Sequence, residues 1–354
     1  MAQETLYSNN IPFISSNTAT SSPALGDLWL PVFSGEILSR FNEYLTMSDK
    51  VRTATISEGT TAHFPSLGKM DSEIHNRGDV MLGMPSEQTE RTISLEDRPV
   101  VSHFETDDIE KMLTYYEGRM ELATEVGRAL ARQWDAKVSM MLAQAAGESA
   151  PAAQSDVFPG GGIDGNGGAI VAADTANADE AGALAVLGAC EQAAVRFDET
   201  YIPLEDRFCA VAPGMWYALK NLGVPSTSVG DSKAYFGDSR FASTAGQINP
   251  AQGSGASTAA NDFLMHNGIK IFRSINLPTA DRTSDTSIDA KYRADYSGTT
   301  GLIFQRQAVA AVTKMGVATE SFRDVRRQSD FFVGKVFTGG GTLRPQCAIR
   351  VASA

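Results

Sequence analysis

The sequence predicts an α+β protein in which an α/β unit is inserted between a long helix and a group of terminal strands. Between residues 51 and 104, VRTATISEGTTAHFPSL and RTISLEDRPVVSHFE are rich in β-branched residues, which predicts a long two-stranded hairpin with a polar tip. Residues 107–146 place apolar side chains at steps of three and four, which predicts a helix about 60 Å long. Residues 301–354 have the composition of strands.

The segments between these elements complete the predicted order. The stretch PVFSGEILSRFNEYL predicts a short helix near the end of a polar N-terminal arm. RFCAVAP predicts a buried strand, and Pro213 is suited to the first turn of the helix that follows it. The predicted divisions are an arm (1–50), a hairpin (51–104), a long helix (105–150), a Gly/Ala-rich connection (151–179), an α/β unit (180–300) and terminal strands (301–354).

The long helix supplies the candidate packing residues of a rigid layer. Its apolar stripe contains Leu113, Tyr116, Met120, Leu130 and Trp134. A strand of a coiled coil is the alternative interpretation. Glycines within the helix and the shortness of the stripe favour packing beneath a sheet.

Composition and charge exclude several classes of protein. The net charge of −12 over 354 residues lacks the basic footprint of a groove-reading nucleic-acid binder. The three cysteines, Cys190, Cys209 and Cys347, are too far apart for a zinc site or a disulfide framework, which favours a reducing compartment. We expect no signal peptide in MAQETLYSNN and no membrane helix, and therefore a protein that stays in the cytoplasm or in a particle assembled there.

No catalytic, metal or cofactor motif is evident. The four histidines have no metal-ligand spacing, and there is neither a nucleophile elbow nor a Walker sequence. One interpretation of the stretch FTGGGTLRP is a phosphate-binding loop. Such a loop needs a helix directly after it, but the sequence here predicts a strand. We therefore predict that Gly339, Gly340 and Gly341 form a turn between two antiparallel strands. The basic cluster FRDVRRQ predicts salt bridges within or between subunits.

The order of elements resembles that of the major capsid proteins of tailed double-stranded DNA phages of the Hong Kong 97 type. VFSGEILSRF, VRTATISEGTTAHFPSLGK, YIPLEDRFCAVAPGMWYAL, GIKIFRSINLP, GLIFQRQAVAAV and GGGTLRPQCAIRV resemble segments of the short-tailed, T7-like members. The resemblance implies an N-arm (1–50), an E-loop (51–104), a spine helix (105–150) and terminal strands (301–354) of a P-domain, and an inserted A-domain (180–300). It also implies hexamers and pentamers of an icosahedral head.

Partners and location follow from the same resemblance. It implies a virion protein assembled in the cytoplasm of a host bacterium, with a scaffolding protein, a portal at one vertex and weakly held double-stranded DNA. It is compatible with an outer decoration protein, and it implies no membrane, no cofactor and no catalysis. A bacterial encapsulin-type compartment and, from another class, a cytosolic α/β enzyme are the alternatives.

The hairpin and arm are the predicted contacts between subunits, because an isolated hairpin is only marginally stable in water. Bending at Gly59 and Gly78 would adapt the hairpin to different rings. Some relatives join subunits through a Lys–Asn bond, but no asparagine follows Asn276, so we expect a non-covalent shell. The candidate contact residues are Phe64, Lys69, Arg77, Met81, Trp29 and Phe33.

Overall fold

The computed structural model describes residues 37–41, 45–67, 74–75, 77–78, 80, 88–96, 98–109, 119–148, 169–172, 179–221 and 263–353. These residues belong to two compact units. The first is drawn from Met1–Leu45, Glu96–Trp134 and Lys314–Thr338, and the second from Thr46–Leu95, Asp135–Thr313 and Gly339–Ala354. No helix among the described residues is long and apolar enough to cross a membrane.

The first unit combines strands with part of the longest described helix. Strand β4 (Val100–Asp107) pairs antiparallel with β11 (Ser329–Thr342), and β10 (Val309–Asp324) lies on the other side of β11. Helix α1 (Arg119–Gly147) contributes residues to both units. The core of the first unit contains Ile37, Ala123, Val126, Leu130, Phe332 and Val336.

A glycine allows the short helical stretch at 37–41 to lie directly on α1. A Cβ atom at Gly127 would lie 2.9 Å from the carbonyl oxygen of Ile37 and 3.2 Å from Cβ of Arg40. Ile37 is fully buried at this contact. Gly127 thus allows another part of the chain to pack closely against α1. This favours packing within the subunit over a coiled coil.

The second unit is built on a six-stranded sheet of order β5-β12-β9-β6-β8-β7. β6 pairs parallel with β8 and antiparallel with β9, and β12 joins the other side of β9. Helices α2 (Glu180–Glu199) and α3 (Pro213–Asn221) contact each other and the sheet. The strands are β5 (Ala169–Ala172), β6 (Arg207–Val211), β7 (Phe263–His266), β8 (Ile269–Arg273), β9 (Thr299–Gln305) and β12 (Ala348–Ser353).

The hairpin of the second unit is shorter than the sequence predicts. Only β2 (Thr61–Leu67) and β3 (Gln88–Ser94) pair with each other, in register from Thr61–Ser94 to Leu67–Gln88. β1 (Arg52–Thr55) instead runs parallel to the start of β10, with Arg52 opposite Ala310. The prediction of one hairpin over residues 51–104 was wrong at both ends, because the outer strands find partners near the end of the chain.

The predicted turn at Gly339, Gly340 and Gly341 was also wrong. All three residues lie within β11, and none has a positive φ angle. A Cβ atom at Gly340 would lie 2.6 Å from Cε of Met141 and 3.1 Å from the carbonyl oxygen of Ala310. Glycine is therefore required at position 340 because a strand there meets a helix and a neighbouring strand, and not because the chain reverses.

The predicted packing residues of the long helix divide into three groups. Leu130 and Trp134 lie in α1 and are 1% and 4% exposed. Met120 lies in α1, but its side chain is outside the described part, and Leu113 and Tyr116 lie outside the described residues altogether. A rigid-spine role for the whole set stays a prediction.

Candidate assembly surfaces

The β2–β3 hairpin has a firmly packed base. Phe64 is 8% exposed, and the guanidinium carbon of Arg52 lies 5.2 Å from its ring centroid, which is the geometry of a cation–π contact. Ile93 in β3 and Leu95, which follows β3, are also buried. Phe64 thus packs within its own subunit, and its role between subunits stays a prediction.

The chain between β2 and β3 exposes large apolar side chains. Ile74 is 95% exposed and Val80 is 83% exposed. Arg77 lies between them and is exposed, next to Gly78 with a φ angle of +100°. Sequence reasoning selected Arg77 but missed Ile74 and Val80, because a single apolar residue in a polar segment gives no signal of exposure. We call Ile74, Arg77 and Val80 the tip residues.

Four predicted contact residues cannot be placed. Lys69 and Met81 flank the tip residues in sequence, and Trp29 and Phe33 belong to the predicted arm. All four lie outside the described residues. Their roles between subunits stay predictions.

Two arginines of the basic cluster at the β10–β11 turn pair with carboxylates of the same subunit. Arg323 donates to Asp108 at 2.6 Å and to Asp330 at 3.2 Å. The hydrogen bond to Asp108 is the main cause that raises the pKa of Arg323. Arg327 lies 3.7 Å from Glu105 and 3.8 Å from Asp324. The prediction of salt bridges for FRDVRRQ is confirmed, although pairs this exposed stabilise a fold by only about 0–1 kcal/mol each.

All three cysteines are free and buried. The Sγ atoms of Cys190 and Cys209 lie 3.9 Å apart, and the contact with Cys190 together with burial raises the pKa of Cys209. Burial raises the pKa of Cys347 to about 12. Because the thiolate is the reactive form, neither Cys209 nor Cys347 is suited to nucleophilic chemistry.

We therefore expect a thiol reagent such as Ellman's reagent to leave the folded subunit unlabelled at pH 8. Unfolding in urea should release all three thiols together, since each is covered by the same folded unit. A thiol that reacts in the folded subunit as fast as in urea would show that the burial is incomplete.

The described residues also offer no obvious centre for metal chemistry. Within these ranges, no three His, Cys, Asp or Glu side chains lie together as a metal-ligand set. The features that the described residues do offer are an apolar hairpin tip and paired charges on the surface.

Comparison with known proteins decides the family. The model of the Gp10A-like major capsid proteins matches residues 63–352, most of the chain. The chain belongs to the Gp10A-like major capsid protein family. The major capsid protein of Escherichia phage T7 is 25% identical over 340 residues, which cover 92% of each chain. The major capsid protein of Enterobacteria phage T3 is 24% identical over 346 residues, covering 91% of this chain and 90% of the other.

Solved structures agree with this membership. The capsid structure of cyanophage P-SCSP1u is similar with a TM-score of 0.65 and 28% identity over 88% of both chains. The mature capsid of bacteriophage PhiM1 has a TM-score of 0.63 at 16% identity, covering 88% of this chain and 87% of the other, and shows the fold alone. The predicted α+β, Hong Kong 97-type fold and the resemblance to T7-like capsid proteins are confirmed.

Family membership settles the general function. A Gp10A-like protein is a structural protein of a tailed-phage head, located in the virion, and its copies assemble into the icosahedral shell. This supports the predicted phage shell over the alternatives of a bacterial compartment and a cytosolic enzyme.

Proposed function

We propose that copies of this chain form the hexameric and pentameric rings of an icosahedral head around double-stranded DNA, without catalysis and without a Lys–Asn cross-link. The observation that carries the proposal is the hairpin tip, where Ile74 and Val80 are almost fully exposed. Among the residues that the structure describes, β2 and β3 form a sheet of two strands. Such a hairpin gains stability when a neighbouring subunit covers its tip.

The hairpin is also suited to rings of two sizes. Gly59, just before β2, has a φ angle of +79°, and Gly78 in the tip has a φ angle of +100°. Neither position would bring a Cβ atom within 4 Å of another group, so the backbone there is unconstrained by packing. Hinges at both positions let one sequence make similar contacts in five-fold and six-fold settings.

The remaining parts of the proposal concern roles and partners. The segments 1–50, 51–104, 105–150, 180–300 and 301–354 act as N-arm, E-loop, spine helix, A-domain and P-domain strands. The net charge of −12 disfavours tight binding of packaged DNA, so the inner wall of the shell encloses the DNA without binding it tightly. A scaffolding protein, a portal and, where present, a decoration protein are the other partners. Many weak contacts between subunits give a closed shell its stability.

The test replaces the exposed apolar residues of the tip. The wild-type protein, expressed with its phage's scaffolding protein, should form megadalton particles in sedimentation and negative-stain microscopy. We expect Ile74→Ser combined with Val80→Ser to reduce particle yield by about tenfold, which corresponds to about 1.4 kcal/mol of contact energy. The subunit should melt within a few degrees of the wild type, because both side chains are exposed.

A matched control separates this effect from general surface polarity. Val195 on α2 is 56% exposed, and Val195→Ser should leave assembly unchanged. Wild-type protein that stays a small oligomer even with its scaffold would contradict the shell itself. Tip variants that assemble as well as Val195→Ser would contradict only the role of the hairpin.

A further inference from the structure

Two of the three buried cysteines meet although they are distant in the sequence. The Sγ atoms of Cys190 and Cys209 lie 3.9 Å apart, and the two residues are separated by 19 positions. Both side chains are fully buried. The chain has three cysteines among 354 residues, so chance alone rarely brings two of them together. Their spacing in the sequence gave no indication of this contact, because the fold alone creates it.

Paired and capped elements hold the two sulfur atoms in place. Cys209 lies in β6, a strand with neighbours on both sides, opposite Ile271 of β8 and Ile303 of β9. Cys190 lies within α2, and the carboxylate of Asp179 caps the first turn of that helix. Because both backbones are fixed by hydrogen bonds, the two thiols stay within reach of each other.

The distance between the sulfur atoms is close to that of a bond. A disulfide bond is about 2.05 Å long, so each sulfur atom of the pair would have to move by about 1 Å. A shift of this size is smaller than the displacement that a change of Cys rotamer produces. The pair can therefore react within the folded subunit.

A virion protein passes from a reducing to an oxidising environment. Membership of a capsid family places this chain in the virion. The cytoplasm keeps thiols reduced, whereas disulfide bonds form and persist outside the cell. The contact with Cys190 and burial raise the pKa of Cys209, and the thiolate is the form that reacts, so oxidation of the pair is slow. The pair is thus expected to stay reduced during assembly.

We propose that Cys190 and Cys209 are a site of oxidative modification, at which a peroxide converts the two thiols into a disulfide bond that fastens α2 to β6 once the head has left the cell. Both sulfur atoms belong to one subunit. The inference therefore goes beyond the proposed ring-forming function and does not depend on it.

The chemistry needs only the two thiols and the peroxide. In the first step, one thiolate attacks an oxygen of hydrogen peroxide, the O–O bond breaks, and a sulfenic acid and a molecule of water result. In the second step, the other thiol attacks this sulfur, the S–S bond forms, the S–O bond breaks and a second water leaves. The two sulfur atoms together lose two electrons and two protons, and one peroxide is reduced to two molecules of water.

The bond would enclose a strained turn between α2 and β6. Tyr201 and Asp206 have φ angles of 53° and 57°, in the left-handed region that residues other than glycine adopt at a cost. A bond between Cys190 and Cys209 closes the chain around this turn and lowers the entropy of the unfolded state. We expect the melting temperature of the oxidised subunit to rise by about 5–10 °C.

The test counts thiols in the unfolded chain. Freshly reduced, folded subunit is treated with hydrogen peroxide, freed of it by gel filtration, and titrated with Ellman's reagent in urea. We expect the count to fall from three thiols per chain to one. In Cys347→Ala the count should fall from two to none. In the matched variant Cys190→Ala it should stay at two, because Cys209 has lost its partner.

Peptide mapping of the wild type identifies the bond without any replacement. Trypsin places the three cysteines in three different peptides: 138–196, 208–220 and 336–350. Oxidised protein that is alkylated in urea before digestion should give the first two peptides joined, lighter by two hydrogen atoms than their sum, and the third peptide alkylated. Treatment with dithiothreitol should separate the joined peptides and restore the original melting temperature.

Several results would overturn the proposal. These are a count that stays at three after prolonged treatment, and joined peptides that include 336–350. An equal fall of the count in Cys190→Ala would do the same, since peroxide would then oxidise the thiols one by one. Failure of the wild type to form particles contradicts the proposed function but leaves this experiment unaffected, because it uses the subunit alone.

Assembled heads test the order of events. Heads that are denatured and alkylated directly on lysis of the cells should carry three alkylated cysteines per chain. Heads stored in dilute peroxide before the same treatment should carry one. A bond already complete in the first sample would contradict oxidation after release from the cell.

Discussion

Replacing Gly340 by valine is expected to prevent the second unit from folding, whereas alanine should lower the free energy of unfolding by about 1–3 kcal/mol. A Cβ atom at this position would approach Cε of Met141 to 2.6 Å and the carbonyl oxygen of Ala310 to 3.1 Å. Met141 is 2% exposed and has little room to withdraw, and Ala310 belongs to the paired backbone of β10. The measurement is the urea midpoint of the isolated subunit together with its soluble yield.

Two variants sharpen this prediction. Gly316 lies in the neighbouring strand β10 and, like Gly340, has no positive φ angle, but a Cβ atom there would meet nothing within 4 Å. Gly316→Val should therefore be neutral or slightly stabilising. Met141→Ala should partly rescue Gly340→Ala, because it removes the atoms that the new methyl group would meet. If Gly340→Val and Gly316→Val are equally stable, close packing is not the reason for glycine at 340.

The glycine stretch also shows where sequence reasoning stops. Three consecutive glycines predict backbone freedom, and the natural interpretation is a turn. Whether the missing side chain serves a turn or a close approach depends on what lies opposite. For Gly340 that is Met141 of the long helix, which is distant in the sequence. Local patterns do not carry this information.

Elements with strong local signals were predicted well. The spacing of Leu184, Leu187, Ala194 and Phe197 predicts a helix, and the structure contains it as Glu180–Glu199, with Leu187, Ala194 and Phe197 buried and Leu184 half-buried. The predicted strand in RFCAVAP is β6, and Pro213 begins α3 as expected. Pairing over long separations was not predictable, and β1 therefore seemed to belong to the hairpin although it pairs with β10.

The candidate surfaces were less accessible to prediction than the fold. Family resemblance indicated that the hairpin contacts other subunits, but it did not distinguish the buried Phe64 from the exposed Ile74. Exposure and backbone strain are properties of the folded chain.

Asp135→Ala is expected to lower the free energy of unfolding of the subunit by about 3 kcal/mol, because it leaves several donors without an acceptor. Asp135 is fully buried in α1. Its carboxylate accepts from the backbone N–H of Thr46 at 2.7 Å, the hydroxyl of Thr46 at 2.8 Å and the N–H of Met47 at 3.3 Å. This carboxylate anchors the chain segment that enters the second unit. Urea unfolding of the isolated subunit measures the effect.

The matched control is an exposed carboxylate on the same helix. Glu125 interacts with Arg128 and Arg132 at the surface, and Glu125→Ala should cost no more than about 0.5 kcal/mol. Asp135→Asn should lie between the two, since the amide keeps one oxygen acceptor but points a donor at a donor. Equal stabilities of Asp135→Ala and Glu125→Ala would contradict the role of Asp135 as an anchor.

The pH dependence of the same variants separates burial from hydrogen bonding. Burial raises the pKa of Asp135 above its ordinary value, although the hydrogen bonds from Thr46 and Met47 act in the opposite direction. Between the ordinary and the raised pKa, the folded state therefore binds more protons than the unfolded state, and stability from this group falls as pH rises. The wild type should gain stability relative to Asp135→Asn as the pH is lowered through that window. A difference that shrinks instead would mean that the hydrogen bonds outweigh burial, and that the folded protein prefers the ionised carboxylate.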